Sequence, residues 1–337
     1  MLAFSLALAM AWAVITPALV GVAKAQLPTA TILGVVRDSS GAVIPGVSLT
    51  ARNTETGQSR EAVSSANGEY RFSALPVGAY EVRAEHAGFQ SFVRGGLTLA
   101  VSQEAVVNID LQVGAVENTI TVTAEAPLVN TTSGSLGGLV DEQKVADLPL
   151  NGRNYVDLTL LQPGVQRDNI TAGGPQMAGT WFSSNGAPPR SNNYLLDGTQ
   201  MDSFQGNSSA SITGTTLGVD GIREFRVVTN SFSAEYGMRM GSQLVLVSKS
   251  GTNDLHGSIF EYMRNSALDA RNFFDKKTAR TPRRLPAFTR NQFGAALGGP
   301  ISKDKTFFHG VYETLHERTG QTLVFNTIPN ACRTPGS

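Results

Sequence analysis

The 337-residue chain holds one cysteine, Cys332, and four scattered histidines, His86, His256, His309 and His316. A single thiol builds no disulfide framework, and no His-x-x-Glu or HExxH spacing supplies a zinc ligand set. His309 and His316 fall on one short stretch, where isolated histidines are solvated or interfacial far more often than a metal pair. Charge of either sign is not in excess: 27 basic and 27 acidic side chains cancel, so nothing marks a nucleic-acid binder. The segment Ser133-Gly134-Ser135-Leu136-Gly137 misses the Gly-x-Ser-x-Gly spacing of a nucleophile elbow, and no other catalytic constellation or cofactor motif is found. What is plentiful is glycine, 35 residues of it, with Val, Thr, Ser and Asn crowding the middle of the chain. That mixture favours strands and turns over long helices, so a mainly β protein is expected.

The first residues, "MLAFSLALAMAWAVITPALVGVAKAQ", form an apolar stretch interrupted by Pro17 and closed by the small-x-small site Ala23-Lys24-Ala25. A signal peptide over 1–25 is expected, although Leu2 to Val22 is also long enough to anchor in a bilayer at ~20 residues. Either way the remainder leaves the cytoplasm.

From Ala30 to Gln112, short one-faced strands alternate with turn residues. Val47, Leu49 and Ala51 alternate with Ser48, Thr50 and Arg52. Tyr80, Val82 and Ala84 alternate with Glu81, Arg83 and Glu85, and Val107, Ile109 and Leu111 with Asn108 and Asp110. Asp38 to Gly41, Asn53 to Gly57, Asn67-Gly68 and Pro76 to Gly78 supply the turns, because Asn and Gly tolerate positive φ. A small β-sandwich over 26–113 follows, with Tyr70, Phe72, Tyr80 and Phe89 as core aromatics rather than a sugar-stacking surface. Its sequence, "GVVRDSSGAVIPGVSLTARNTETG" then "SSANGEYRFSALPVGAYEVRAEHAGFQSF", resembles the carboxypeptidase regulatory-like domain, a transthyretin-like sandwich. That resemblance implies a binding or spacer module, with carbohydrate binding among its relatives.

Residues 131–250 change character. A helix is expected after Asp141, and a second from Asn154 as N-cap to Leu161, with Tyr155, Leu158 and Leu161 on one side. "SNNYLLDGTQMD" reads as a strand into an Asp197-Gly198 turn, and "GIREFRVVTNSFSAEYG" and "SQLVLVSKSG" as further strands, giving an α+β module. "LPLNGRNYVDLTLLQPGV", "SNNYLLDG", "IREFRVVTNSFSAEYG" and "VSKSGTNDLHGSIFEYMRNSALDARNFFD" resemble the plug and first barrel strands of TonB-dependent outer-membrane receptors of the Oar-like subgroup. Where relatives commonly read Gly-Gly-Val-Val-Asn before the last plug strand, this chain has "GSQLV", with Val245 in place of Asn.

Between the two modules, in a linker over 114–130, lies "ENTITVTA": Glu117, Asn118, Thr119, Ile120, Thr121, Val122, Thr123 and Ala124. The Thr/apolar alternation is a half-polar β strip. It resembles the TonB box, the segment such receptors offer to TonB for strand addition, in which main-chain hydrogen bonds supply the grip. The same residues would also make a final sandwich strand or a plain linker strand. The box is preferred because Val107 to Leu111 already closes the sandwich and Gly114 breaks the run.

Over 251–337, "DLHGSIFEYMRN", "TRNQFGAALGGPI" and "KTFFHGVYETLHER" each approach the ~10 residues a tilted membrane strand requires. Phe293, Ala295 and Leu297 alternate with Gln292, Gly294, Ala296 and Gly298, a lipid-compatible face opposite a small, polar one. Ser302 to Lys305 is a short turn of periplasmic type. The longer basic stretch with Lys276, Lys277, Arg280, Arg283, Arg284 and Arg290 reads as a solvated outer loop. Three strands cannot close a barrel, and the resembled receptors close with about 22. The sequence expectation is therefore the N-terminal part of a receptor with a truncated barrel, placed in the outer membrane with its sandwich in the periplasm. Its partners would be TonB, outer-membrane lipid and an unknown nutrient ligand. The competing expectation is a soluble periplasmic or secreted carbohydrate-binding protein.

Overall fold

A computed structural model describes residues 29–114, 119–123, 134–148, 150, 152–168, 180–201, 217–231, 236, 239–270 and 287–320. The expected leader, Glu117, Asn118 and Ala124 of the expected box, Lys276, Lys277, Arg280, Arg283 and Arg284, and also Ser133 and Cys332 lie outside the described residues.

The N-terminal module is a two-sheet sandwich. Its strands are β1 Thr29–Asp38, β2 Ser48–Asn53, β3 Ser59–Val63, β4 Glu69–Pro76, β5 Gly78–Glu85, β6 Ser91–Leu99, β7 Glu104–Val106, β8 Ile109–Leu111 and β9 Thr119–Thr123. One sheet runs β4-β1-β7 with β8 also on β1; the other runs β3-β2-β5-β6-β9. The period-2 pattern of the sequence becomes the inner faces: Val47, Leu49, Ala51, Tyr80, Val82, Ala84, Val107, Ile109 and Leu111 are all buried. Tyr70, Phe72 and Tyr80 lie in this core and Phe89 packs on its edge, as expected of core aromatics. The Tyr70 hydroxyl donates to the Val107 carbonyl at 2.6 Å, and burial pushes its phenol above the usual range.

The sandwich does not end at Leu111. Residues 104–111 add to β1 in parallel, in the first sheet, and so leave the β6 edge of the second sheet open. Thr119–Thr123 fills it, running parallel to β6 from Ser91↔Thr119 to Gly95↔Thr123.

The second module is built on a five-stranded sheet, β10-β15-β16-β13-β14, from β10 Leu136–Val140, β13 Asn193–Leu196, β14 Thr199–Gln200, β15 Ile222–Asn230 and β16 Gln243–Ser248. A small ladder of β11 Val165–Arg167 and β12 Phe182–Ser184 stands beside it. Helix α1, Glu142–Asp147, is capped by the Asp141 carboxylate, which accepts the Lys144 N–H. The second helix, Tyr155–Leu161, is 3₁₀ rather than α, with the Asn154 side chain accepting the Val156 N–H. It buries Tyr155, Val156, Leu158 and Thr159, whereas Leu161 is 66% exposed. The expected third apolar contact is lost because Leu161 is the last helical residue and the chain turns away at Gln162. Asp197 and Gly198 both take positive φ, as their expected hairpin turn requires. Strand β16 is apolar almost throughout because both its faces are covered. Leu244 and Leu246 pack with Tyr155 and Phe225 in the module's own core, and Val245 and Val247 pack with Val77 and Val101 of the sandwich. Val245 therefore meets the sandwich.

The third element is an open antiparallel sheet of β17 His256–Asn265, β18 Phe288–Ser302 and β19 Thr306–Thr319, in that order. The last two are 15 and 14 residues long, exceeding the hydrocarbon minimum. Arg290, expected in the basic loop, lies in β18, paired to Glu317 of β19. Ile259, Phe293, Leu297 and Tyr312 share an exposed face, whereas Gln292 and Ala296 are buried under the second module. Glu261, in register with Phe293, and Arg318, in register with Thr289, are charged residues on the exposed face.

Candidate functional site

Three places carry the polar chemistry: the strand β9, the junction between sandwich and second module, and the contact of that module with β17–β19.

At β9 the backbone of Thr119, Ile120, Thr121, Val122 and Thr123, five of the eight expected box residues, is brought into a ladder with Ser91 to Gly95. The three others lie outside the described residues.

The junction uses two sandwich turns. In the β2–β3 turn, the buried Asn53 side chain accepts the N–H groups of Glu55 and Thr56, both at 2.9 Å. So fixed, Glu55 receives Arg223 Nη2 of β15 on both carboxylate oxygens, at 2.8 and 2.9 Å, and its carbonyl accepts the Asn253 N–H at 3.0 Å. Asn253 in turn bonds Asp304 in the β18–β19 turn, side chain to side chain at 2.8 Å and through the Asp304 N–H at 2.9 Å. Burial works against the Arg223 charge but is outweighed by Glu55, which holds the guanidinium above its usual range.

In the β6–β7 turn, Val101 is fully buried against Val245 and Val247 and donates its N–H to Glu224 Oε1 at 2.5 Å. Arg226 Nη1 reaches the carbonyls of Val101 and Ser102, both at 3.3 Å, and the Ser102 and Tyr236 hydroxyls lie 2.8 Å apart. Glu224 is 7% exposed. Burial pushes its carboxyl up to about 7, reinforced by Asp141 and Glu142 and opposed by the Val101 N–H and Arg223.

At the third place Arg153 bridges two elements. Its N–H closes a turn onto the Leu150 carbonyl, and both Gly152 and Arg153 take positive φ, which leaves the following Asn154 free to cap the 3₁₀ helix. The guanidinium then leans over the Phe260 ring of β17 at 3.8 Å from its centroid, with the Tyr262 ring at 5.4 Å. Asp220 of its own module holds Nη2, and Glu313 of β19 lies 3.5 Å from Nε. Asp220 also accepts the Ser258 hydroxyl of β17 at 2.8 Å, and Glu313 accepts Gln292 Nε2 of β18 at 2.5 Å. A mostly buried cation over an aromatic face is worth roughly 2 kcal/mol. Small residues on the inner face of β18 make the approach possible: a Cβ on Gly294 would lie 2.4 Å from the Tyr312 carbonyl and 2.6 Å from the Phe260 ring.

Sequence reasoning missed Arg153, Glu224 and the Glu55–Arg223 pair. The available signal was weak: charged residues inside otherwise apolar strand and turn segments, where an unpaired charge would be costly. Among the described residues no group of three His, Cys, Asp or Glu is gathered for a metal. His309 stacks on His256, and His316 on Phe293.

Residues 31–112 match the carboxypeptidase regulatory-like domain family, and residues 247–337 match the outer membrane beta barrel domain family. The fold and these matches define an outer-membrane protein that carries a regulatory-like sandwich ahead of its wall strands. Along most of its length the chain is similar to the TonB-dependent transporter Oar of Myxococcus xanthus, 26% identical over 311 residues, which cover 89% of this chain and 28% of that protein. The chain thus spans little more than a quarter of the length of this relative. Among solved structures, similarity is found to the siderophore receptor PirA of Acinetobacter baumannii, at 20% identity and a TM-score of 0.40 over 55% of this chain and 25% of that one. The ferric enterobactin receptor PfeA of Pseudomonas aeruginosa is similar at 17% identity and a TM-score of 0.39, over 56% of this chain and 26% of that one.

Proposed function

We propose that these residues are the N-terminal part of a TonB-dependent outer-membrane transporter for a large nutrient, an oligosaccharide or a peptide. In this reading the sandwich stands in the periplasm, residues 131–250 plug the barrel lumen, and 117–124 are the TonB box. The reading assigns the chain no reaction on its ligand. The observation that supports it most is the bridge made by Arg153. This residue ties the α+β module to Phe260 and Glu313 on one side of the β17–β19 sheet, while Ile259, Phe293 and Leu297 of the same sheet are exposed on the other. A plug inside a wall needs that polarity: polar latches inward, apolar side chains toward lipid. TonB would grip the box by main-chain pairing and pull, shifting the plug against those latches.

The test replaces Ile120 with Pro in the receptor in its own membrane. Proline removes a ladder donor and fixes φ, so site-specific cross-linking to TonB should be lost while the receptor still reaches the outer membrane. Unchanged cross-linking would show that 117–124 is not the box.

A further inference from the structure

The ladder between β6 and β9 bears on how the box is recognised. A segment that must pair with TonB is expected to be unpaired beforehand, yet here five of its residues already form a strand of the sandwich. We propose that TonB is received on β9 while β9 remains in the sandwich sheet, with TonB's own strand adding to the outer edge of β9. This inference rests on the box reading above and deepens it: the sandwich becomes the template that displays the box.

Three observations support it. First, β9 is the terminal strand of its sheet, and among the described residues no strand pairs with its other edge. Second, the two ends of this sheet differ. Strand β3, at the far end, carries Arg60 and Glu61, the charges by which natural sheets discourage further pairing. Strand β9 reads Thr-Ile-Thr-Val-Thr, with no charge, proline or glycine in it, which is the composition of an edge that accepts another strand. Third, pairing with β6 has already fixed the backbone of those five residues, so a partner strand meets an ordered edge and avoids the entropy of ordering a free segment.

The placement also defines a force path. A pull on β9 loads the β6 ladder, and from the sandwich it passes to the plug strand β15 through Glu55–Arg223 and Val101–Glu224.

The test locks β9 in place. Val93 and Thr121 are register partners on neighbouring parallel strands, about 4.8 Å apart, within the Cα separation that a disulfide spans. The chain carrying Val93→Cys and Thr121→Cys, with Cys332→Ser, is oxidised in outer membranes and offered a purified periplasmic domain of TonB. The expected result is a disulfide in this pair and none in Ser91→Cys with Thr123→Cys, which are four register steps apart. Capture of TonB by the locked protein should remain within twofold of the reduced form. Failure of the registered pair to cross-link overturns the proposal, because β9 is then not on the sheet. A tenfold or greater loss of capture on locking, restored by reductant, also overturns it, because TonB then needs β9 released. The Ile120→Pro variant separates these failures from that of the box itself: if it captures TonB normally, the box reading fails, whereas if it loses capture while locking also abolishes capture, only the in-place docking fails.

Discussion

The Glu224 carboxylate holds the backbone N–H of Val101 at 2.5 Å, joining two modules across 123 residues of chain. The bond sits beside the only shared apolar cluster of the two modules among the described residues, formed by Val77 and Val101 on one side and Val245 and Val247 on the other.

The buried carboxyl makes the junction pH-sensitive. In the docked state it titrates near 7, and when freed it returns to an ordinary value of about 4.5. Between these values the docked form holds a proton that the freed form has lost, so docking is strongest below the lower value, weakens as pH rises through the upper one, and is flat above it. The span corresponds to on the order of 3 kcal/mol. Hydrogen exchange at residues 99–103, corrected for intrinsic rates, should be slower at pH 5 than at pH 8. In Glu224→Gln, which keeps an acceptor but does not titrate, the difference should vanish; an undiminished difference would assign the titration elsewhere.

Arg153 should be the most costly single truncation at the contact of the second module with β17–β19. Arg153→Ala leaves Asp220 and Glu313, both mostly buried, without their cation, a loss of about 3 kcal/mol. With typical urea slopes this lowers the midpoint for release of the second module from the sheet by roughly 1–3 M. Arg153→Lys should recover only part of it, because an ammonium lacks the planar fork that serves Asp220 while stacking on Phe260. A double variant with Phe260→Ala should cost less than the sum of the two singles, since both remove one contact.

Gly34 tests the sandwich core. A Cβ there would lie 1.9 Å from the Val107 carbonyl oxygen, the acceptor of the Tyr70 hydroxyl. Gly34→Ala must push β1 away from the 104–111 segment, at a cost of about 3 kcal/mol. Gly95→Ala, whose Cβ would meet nothing within 4 Å, should change stability by less than about 0.5 kcal/mol. Urea-dependent proteolysis of the sandwich in the full chain measures both.

The elements that were legible in the sequence are those with one wet face. Strands β2, β5 and β8 show their buried side directly in the alternation of Leu49, Val82 and Ile109 with polar neighbours. The caps Asp141 and Asn154 were legible too, because a cap is a local bond two or three residues long. The continuous run Leu244 to Val247 marked a strand but not what covered its second face, since the covering valines, Val77 and Val101, lie far away in sequence. The seat of β9 was hidden for a related reason. The chain at 104–111 satisfies one sheet, and nothing local reveals that the other still has an open edge at β6. Arg153 was illegible because its partners lie 67 to 160 positions downstream, at Asp220 and Glu313.

The β2–β3 turn has a consequence for biogenesis. Glu55 touches Arg223 and Asn253, and Asn253 is tied to Asp304. The sandwich assembles from contacts among its own residues, so it can fold without the later modules. Its berth, however, is composed of residues of the second module and of the segment leading into β17, all made much later. The sandwich is thus made before the residues that seat it, and a chain whose hairpin at Asp304 is delayed holds its sandwich by the β15 and β16 contacts alone in the meantime.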